Sequence, residues 1–242
     1  MYYALLSDIH GNMYALQKVL EDLKQFDIES VLLLGDLIDY GMQSNEVVEC
    51  IRDCFPYNVC CNIWGNHERA IILNDFTRFS SLRGAECAKH TASLLHENVK
   101  AYLRDNMKHE GILEMTLHSK KYLMVHGSLE DPYWKSIMPD NVRGDYSAYD
   151  VVVSGHSHYS HVFTKFYDTV DPKRRNKHAV WFINPGSVGQ PRNHNPNAQY
   201  ALLDPQNGTV LLRSVPYEIK KAMSLYDISV DAFYQQRLLI GV

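Results

Sequence analysis

The sequence predicts a single α/β domain spanning residues 1–242, and three observations support that fold class. The chain has 242 residues with 45% hydrophobic and 21% charged side chains, the composition of an ordinary folded domain with a core of its own. In its first 63 residues, short apolar runs alternate with amphipathic segments of helical spacing. The part after residue 110 is rich in apolar runs of strand length. Together these patterns predict crossovers between parallel strands, followed by a second strand-rich half.

The elements of the first part follow from hydrophobic periodicity. Strand, helix, strand, helix and strand are predicted at residues 2–6, 13–25, 30–34, 45–54 and 57–63. The segment from about residue 68 to 108 carries only helical patterns and no metal-type motif. It is interpreted as a helical insertion that either caps a site or forms a plain packing layer.

The second half is predicted to be mainly strands, with a short helix or two at residues 217–236. The predicted strands cover residues 113–117, 122–125, 151–154, 161–167, 178–183, 200–203 and 209–213. The first sheet is expected to be largely parallel, because its strands are separated by helices.

Five short clusters of potential metal ligands each follow an apolar run. They are Asp8-Ile9-His10-Gly11-Asn12, Gly35-Asp36-Leu37-Ile38-Asp39, Gly65-Asn66-His67-Glu68, His126-Gly127 and Gly155-His156-Ser157-His158. A single His-Gly pair is usually only a strand end with a solvated imidazole. Five such clusters in order, all after strand-like runs, indicate that strand ends deliver ligands to one crevice.

The residue types in these clusters predict which ions would bind. Carboxylates, imidazoles and one amide suit Mn, Fe, Zn, Ni or Co, whereas Mg or Ca would prefer mostly oxygen ligands. One carboxylate can bridge two ions that lie roughly 3.5–4 Å apart. The pattern therefore predicts a hydrolase with two divalent or trivalent transition-metal ions.

From Asp8 to about Arg192 the chain resembles the calcineurin-like metallophosphoesterase superfamily, and in particular its small bacterial phosphodiesterase-like branch. The resemblance implies two mixed β-sheets packed as a sandwich and flanked by helices, with hydrolysis of phosphate esters by a hydroxide that bridges two metals. It implies two ligand sets that share Asp36 as the bridge. The first set is Asp8, His10, Asp36 and His158, and the second is Asp36, Asn66, His126 and His156.

The resemblance also suggests residues that act on the substrate. It implies that the His67 imidazole lies next to the reacting phosphate, as proton donor to the leaving oxygen or as an orienting donor. Asp39 is predicted to support His67 or a metal ligand, and Asn66 to contact substrate as well as metal. Residues 184–192 are dense in turn formers; they are either a plain turn or a loop from which Arg192 reaches a substrate phosphate.

The expected substrate is a small phosphate ester, most simply a phosphodiester or a nucleotide. The second and third clusters also resemble those of serine/threonine protein phosphatases, which carry arginines where this chain has Tyr40 and Trp64. A serine/threonine-type protein phosphatase or phosphomonoesterase remains an alternative. A non-catalytic metal-binding interaction module is a further one.

Charge and composition limit the partners. The net charge of −4 and the absence of a basic cluster argue against a nucleic-acid polymer. The five cysteines have no spacing typical of a secreted disulfide framework, no leader is recognised, and no apolar run reaches membrane-spanning length. These features predict a cytoplasmic protein that does not bind membranes, and they leave its oligomeric state undecided.

Overall fold

The computed structural model describes all residues from Met1 to Val242. Its strands in chain order are β1 (Tyr2–Leu6), β2 (Ile28–Leu33), β3 (Val59–Asn62), β4 (Ile112–Leu117), β5 (Lys120–Val125), β6 (Val151–Ser154), β7 (His161–Asp168), β8 (Lys177–Asn184), β9 (Ala198–Asp204) and β10 (Thr209–Val215). Its helices are α1 (Met13–Leu23), α2 (Ser44–Asp53), α3 (Asn66–Leu73), α4 (Leu82–Leu94), α5 (Glu97–Asp105), α6 (Ile219–Met223) and α7 (Ala232–Ile240). None of these helices has the length and apolar composition that a membrane crossing requires.

The first sheet has the strand order β10-β9-β1-β2-β3. β1 pairs in parallel with β2 and β2 with β3, as the alternation of strands and helices predicts. The expectation of a largely parallel sheet fails for the other two strands, because β9 is antiparallel to β1 and β10 to β9. That pairing joins Tyr3 to Leu203, near opposite ends of the chain, and no local pattern in the sequence indicates it.

The second sheet has the strand order β4-β5-β6-β8-β7. β5, β6 and β8 are parallel, whereas β4 and β7 pair antiparallel at the two edges. The central strand β6 has the sequence Val-Val-Val-Ser and is buried along its whole length, as expected for a strand covered on both faces. Both sheets are therefore mixed, with parallel strands next to one another in each.

The two sheets pack face to face. Leu5 and Leu32 of the first sheet share a buried cluster with Tyr122 and Val153 of the second. Because side chains alternate along a strand, neighbours such as Leu6 point to the other face of the first sheet, where the helices lie. The expected sandwich of two mixed sheets flanked by helices is confirmed.

The start of α1 ties the end of β1 to the rest of the fold. Asn12 caps this helix, because its Oδ1 accepts the N–H of Ala15 at 3.1 Å. Its amide nitrogen donates to the carbonyl of Gly189, in the loop after β8, at 2.9 Å. The cap thus joins the loops that follow β1 and β8 at one edge of the sandwich.

Candidate metal centre

The predicted metal ligands lie in tight turns directly after the strands. Five of them have left-handed backbone conformations, with φ values between 48° and 63°: Asp8, His10, Asp36, His156 and His158. Such conformations are uncommon for residues other than glycine and cluster at functional sites. Backbone hydrogen bonds hold two of these turns together, including one from the His10 N–H to the Asp36 carbonyl at 2.9 Å.

The turn after β3 passes very close to the turn after β2. A side chain at Gly65 would collide with the carboxylate of Asp36. Only glycine permits this approach, and it allows the N–H of His67 to donate to Asp36 Oδ1 at 2.9 Å. One carboxylate oxygen is thereby fixed, and Oδ2 is left for another partner.

The first ligand group brings together Asp8, His10, Asp36 and His158, all buried. The Nε2 atoms of His10 and His158 are 3.1 Å apart, and His158 Nε2 is 3.1 Å from Asp8 Oδ1. His10 Nε2 is 3.7 Å from Asp36 Oδ2. Ligand-type atoms from three different turns therefore point at a single position.

The second group adds His126 and His156 to the same Asp36. His126 Nε2 is 3.2 Å from Asp36 Oδ2. Asn66 Oδ1 lies 3.1 Å from His126 Nε2 and 2.9 Å from His156 Nδ1. The two groups thus share one carboxylate, as two neighbouring ions with a common ligand would require.

Hydrogen bonding at the far side of the rings supports a metal. Nδ1 of His10 donates to the Ile38 carbonyl at 3.1 Å, Nδ1 of His126 to Leu34 at 2.7 Å, and Nδ1 of His158 to Gln190 at 2.6 Å. A proton on Nδ1 leaves Nε2 unprotonated and directed inward, which is how metal-binding histidines are held in proteins.

Two buried oxygens accept no hydrogen bond, Asp8 Oδ1 and Asp36 Oδ2. Burying a carboxylate oxygen without a hydrogen bond costs free energy, and a bound cation would offset that cost. Each ligand group contains at least one such oxygen. The residues present therefore fit a pair of transition-metal ions.

The pKa shifts agree with this assignment. Burial lowers the pKa of His10 and His158 well below the ordinary value and that of His156 to about 3, so these rings are neutral, as ligands must be. Burial alone would lower the pKa of His126 as well, but the nearby Asp36 carboxylate raises it to about 9. The buried Asp36 carboxylate thus stabilises a positive charge beside it, and a metal ion would supply that charge.

His67 and Asp39 form a buried pair beside the two groups. His67 Nδ1 is 2.6 Å from Asp39 Oδ2, and its Nε2 lies 3.9 Å from Asp36 Oδ2. Burial disfavours the charged ring, yet the carboxylates of Asp36 and Asp39 outweigh it and raise the pKa of His67. The ring is thus held by one nitrogen and presents the other to the centre.

Glu68 has a structural role that the sequence analysis missed. Its carboxylate accepts the N–H groups of Asp36 at 2.8 Å, Leu37 at 2.7 Å, Ile38 at 3.3 Å and Gly65 at 2.8 Å. Burial and the neighbouring Asp36 raise the pKa of Glu68 to about 7. The residue stands in the third cluster of the sequence, but three of its four partners lie in the turn after β2, some thirty positions earlier in the chain.

A cavity of about 450 Å³ opens above the metal ligands. It is lined by Asp36, Tyr40, Asn66, His67, Arg78, Phe79, Ser80, Trp134, Lys135, His156, His158 and Arg192. Arg192, one of the predicted substrate contacts, is held by a bond from its backbone N–H to the His158 carbonyl at 3.4 Å, and its buried Nε has no acceptor. No sequence pattern indicates Arg78, Phe79, Trp134 or Lys135, which lie in loops without periodic pattern.

Comparison with known proteins identifies the family. Residues 1–208 match the sequence profile of the calcineurin-like phosphoesterase superfamily domain. The chain therefore belongs to this superfamily and is a hydrolase of phosphoric ester bonds.

Individual relatives are consistent with that class. An uncharacterised protein of Methanocaldococcus jannaschii is 32% identical and aligns over 98% of this chain and 97% of its own length. Phosphodiesterase YfcE of Escherichia coli K12 is 25% identical over 82% of this chain and 84% of its own. A solved structure of a hypothetical protein from Pyrococcus horikoshii has a TM-score of 0.82 at 23% identity, covering 100% of this chain and 98% of the other, and it shows the shared fold.

Proposed function

We propose that this protein hydrolyses a small phosphodiester or nucleotide at a two-metal centre bridged by Asp36. One observation carries the proposal. Two groups of ligand atoms share Asp36, whose buried Oδ2 accepts no hydrogen bond. The relationship to YfcE, which is named a phosphodiesterase, supports the substrate class.

The ions that fit the donor set are Mn, Fe, Zn, Ni or Co. When bound, such ions acidify a water molecule and provide positive charge against the phosphate oxygens. Asp8, His10, Asp36 and His158 would hold one ion, and Asp36, Asn66, His126 and His156 the other. Proton transfer and substrate binding are assigned to other side chains of the protein.

Proton transfer is assigned to His67. An alkoxide leaves phosphorus slowly unless its oxygen gains a proton or a comparable positive charge, and the free Nε2 of His67 faces the centre. Asp39 holds the ring by its other nitrogen, 2.6 Å away, and so fixes the orientation in which Nε2 can donate.

Substrate binding is assigned to Arg192 together with Asn66. The buried Nε of Arg192 lacks a protein acceptor, and a guanidinium binds phosphate oxygens with paired hydrogen bonds. Asn66 contributes its side chain at the floor of the same cavity.

Two uncharged residues, at positions that resemble arginine sites of protein phosphatases, favour a diester over a monoester. A monoester carries about one more negative charge at neutral pH, and a site built for it adds cationic donors. Tyr40 and Trp64, which occupy the positions that resemble arginine sites of protein phosphatases, are only 9% and 4% exposed. Trp64 donates its Nε1 proton to the Leu103 carbonyl at 2.6 Å, a structural contact.

The test compares two substrates with the same aryl group, bis(p-nitrophenyl) phosphate and p-nitrophenyl phosphate, using Mn-loaded protein. The proposal predicts the higher kcat/KM for the diester. A clear preference for the monoester would favour the phosphomonoesterase alternative, and no turnover of either compound would favour a metal-binding interaction module. A cytoplasmic location and the lack of a nucleic-acid polymer as partner stay predictions from sequence.

A further inference from the structure

A row of aromatic rings leads out of the metal centre along one wall of the cavity. The ring of Phe79 lies 5.1 Å from that of His67, edge to face, and the ring of Trp134 lies 5.3 Å from that of Phe79. Phe79 belongs to the loop between α3 and α4, and Trp134 to the loop between β5 and β6. Two separate segments therefore bring their aromatic rings to the same wall.

Two polar side-chain groups belong to residues of the same wall. The buried Nε1 of Trp134 has no hydrogen-bond acceptor. Arg78 lies over the Trp134 ring at 5.3 Å and is paired with Asp131 at 2.6 Å, but its side chain is 47% exposed. Exposed ion pairs of this kind contribute little stability, so the guanidinium can exchange its partner at small cost.

The position of His67 fixes which part of a substrate meets this wall. If His67 protonates the leaving oxygen, the group attached to that oxygen must lie on the His67 side of the phosphate. The aromatic row begins at His67, so it runs beside the leaving group and not beside the part of the ester that stays on phosphorus.

We propose that Phe79 and Trp134 form a subsite for the planar base of a nucleoside leaving group. This inference rests on the proposed function and narrows its substrate class to nucleotide diesters cleaved on the nucleoside side. Aromatic side chains stack on any of the bases, and each stacked base raises the affinity roughly tenfold or more. The cavity of about 450 Å³ is in the size range of small-ligand sites.

An internal competition tests the assignment. The probe is the methyl ester of adenosine 5′-phosphate, whose phosphorus carries two alkoxy groups of similar basicity. When water attacks phosphorus and the P–O5′ bond breaks, O5′ takes up a proton, and the products are adenosine and methyl phosphate. Cleavage on the other side yields methanol and adenosine 5′-phosphate. Liquid chromatography measures the ratio of the two outcomes.

Wild-type protein should release adenosine in roughly tenfold excess over adenosine 5′-phosphate. Phe79→Leu and Trp134→Leu, which keep apolar bulk but lose the aromatic face, should bring the ratio towards one. Phe166→Leu is the matched control, because that ring is 64% exposed on β7, and its ratio should equal that of wild type. An excess of adenosine 5′-phosphate, or a ratio unchanged in both wall variants, would overturn the subsite.

A binding experiment separates this inference from the proposed function. Adenosine alone should quench tryptophan fluorescence in wild type and in Trp181→Phe, but not in Trp134→Phe. Hydrolysis of diesters without such quenching would overturn the subsite and leave the proposed function in place. Quenching in a protein that hydrolyses no diester would refute the proposed function and support base binding at the subsite of Phe79 and Trp134.

Discussion

The hydroxyl of Thr91 donates a hydrogen bond to Asp39 Oδ1 at 2.7 Å. Thr91 belongs to α4, within the helical insertion, and the other carboxylate oxygen of Asp39 bonds to His67. The insertion therefore reaches the metal centre through a buried contact, in addition to supplying the Phe79 loop at the cavity wall.

Thr91→Val should lower kcat by about tenfold, because it leaves Asp39 Oδ1 without a partner and loosens the carboxylate that orients His67. Valine keeps the shape of threonine, so packing in α4 should survive. Steady-state kinetics on an aryl phosphodiester measures the change. Thr91→Ser retains the hydroxyl and should remain close to wild type; an equal loss in the serine variant would mean that packing and not the hydrogen bond is responsible.

His67→Ala should retain its metal ions and lose turnover by roughly 10²–10⁴-fold, the usual contribution of a general acid. Asp39→Asn should give a smaller loss, since the imidazole stays in place but loses the charge that orients it. Metal content and kcat are measured on the same preparations. If His67→Ala comes out without metal, the residue is a ligand and its assignment as proton donor is wrong.

Glu68→Gln should reduce the free energy of unfolding by about 3 kcal/mol, because the carboxylate accepts four backbone N–H groups in a buried turn and an amide cannot replace all of these bonds. Chemical denaturation measures this change. Glu86→Gln is a suitable control, since that side chain is 58% exposed in a surface ion pair and should change stability by less than about 0.5 kcal/mol. Equal effects in the two variants would contradict the role given to Glu68.

Arg192→Ala should raise KM for a phosphodiester by about tenfold and leave the metal content unchanged, because the guanidinium is proposed to bind substrate oxygens and belongs to neither ligand group. Arg192→Lys should recover part of the loss, since it keeps the charge without the paired donors. Unchanged kinetics in Arg192→Ala would remove this residue from the substrate site.

The ligand side chains could be predicted from the sequence because each lies shortly after a strand. In a sheet with parallel neighbours, residues directly after strands meet at one edge whatever the detailed register, so Asp8 and Asp36 of the first sheet could be placed together from local patterns alone. The resemblance to a known family then divided the ligands into two groups, and the geometry contains the same division around Asp36.

Other parts of the site depend on contacts that leave no local pattern. Glu68 bonds to N–H groups of the turn after β2, and only the folded chain shows which turn that is. Phe79 and Trp134 come from irregular loops whose rings meet at one wall of the cavity, and neither loop carries a periodic signal. The antiparallel addition of β9 to β1 likewise depends on the whole fold.

The most direct measurement of the central claim is a titration of chelator-treated protein with Mn²⁺ while hydrolysis of an aryl phosphodiester is followed. Two ligand groups that share Asp36 predict negligible turnover without metal, and a rise that levels off at about two ions per chain. Full hydrolysis by the metal-free protein would contradict the account.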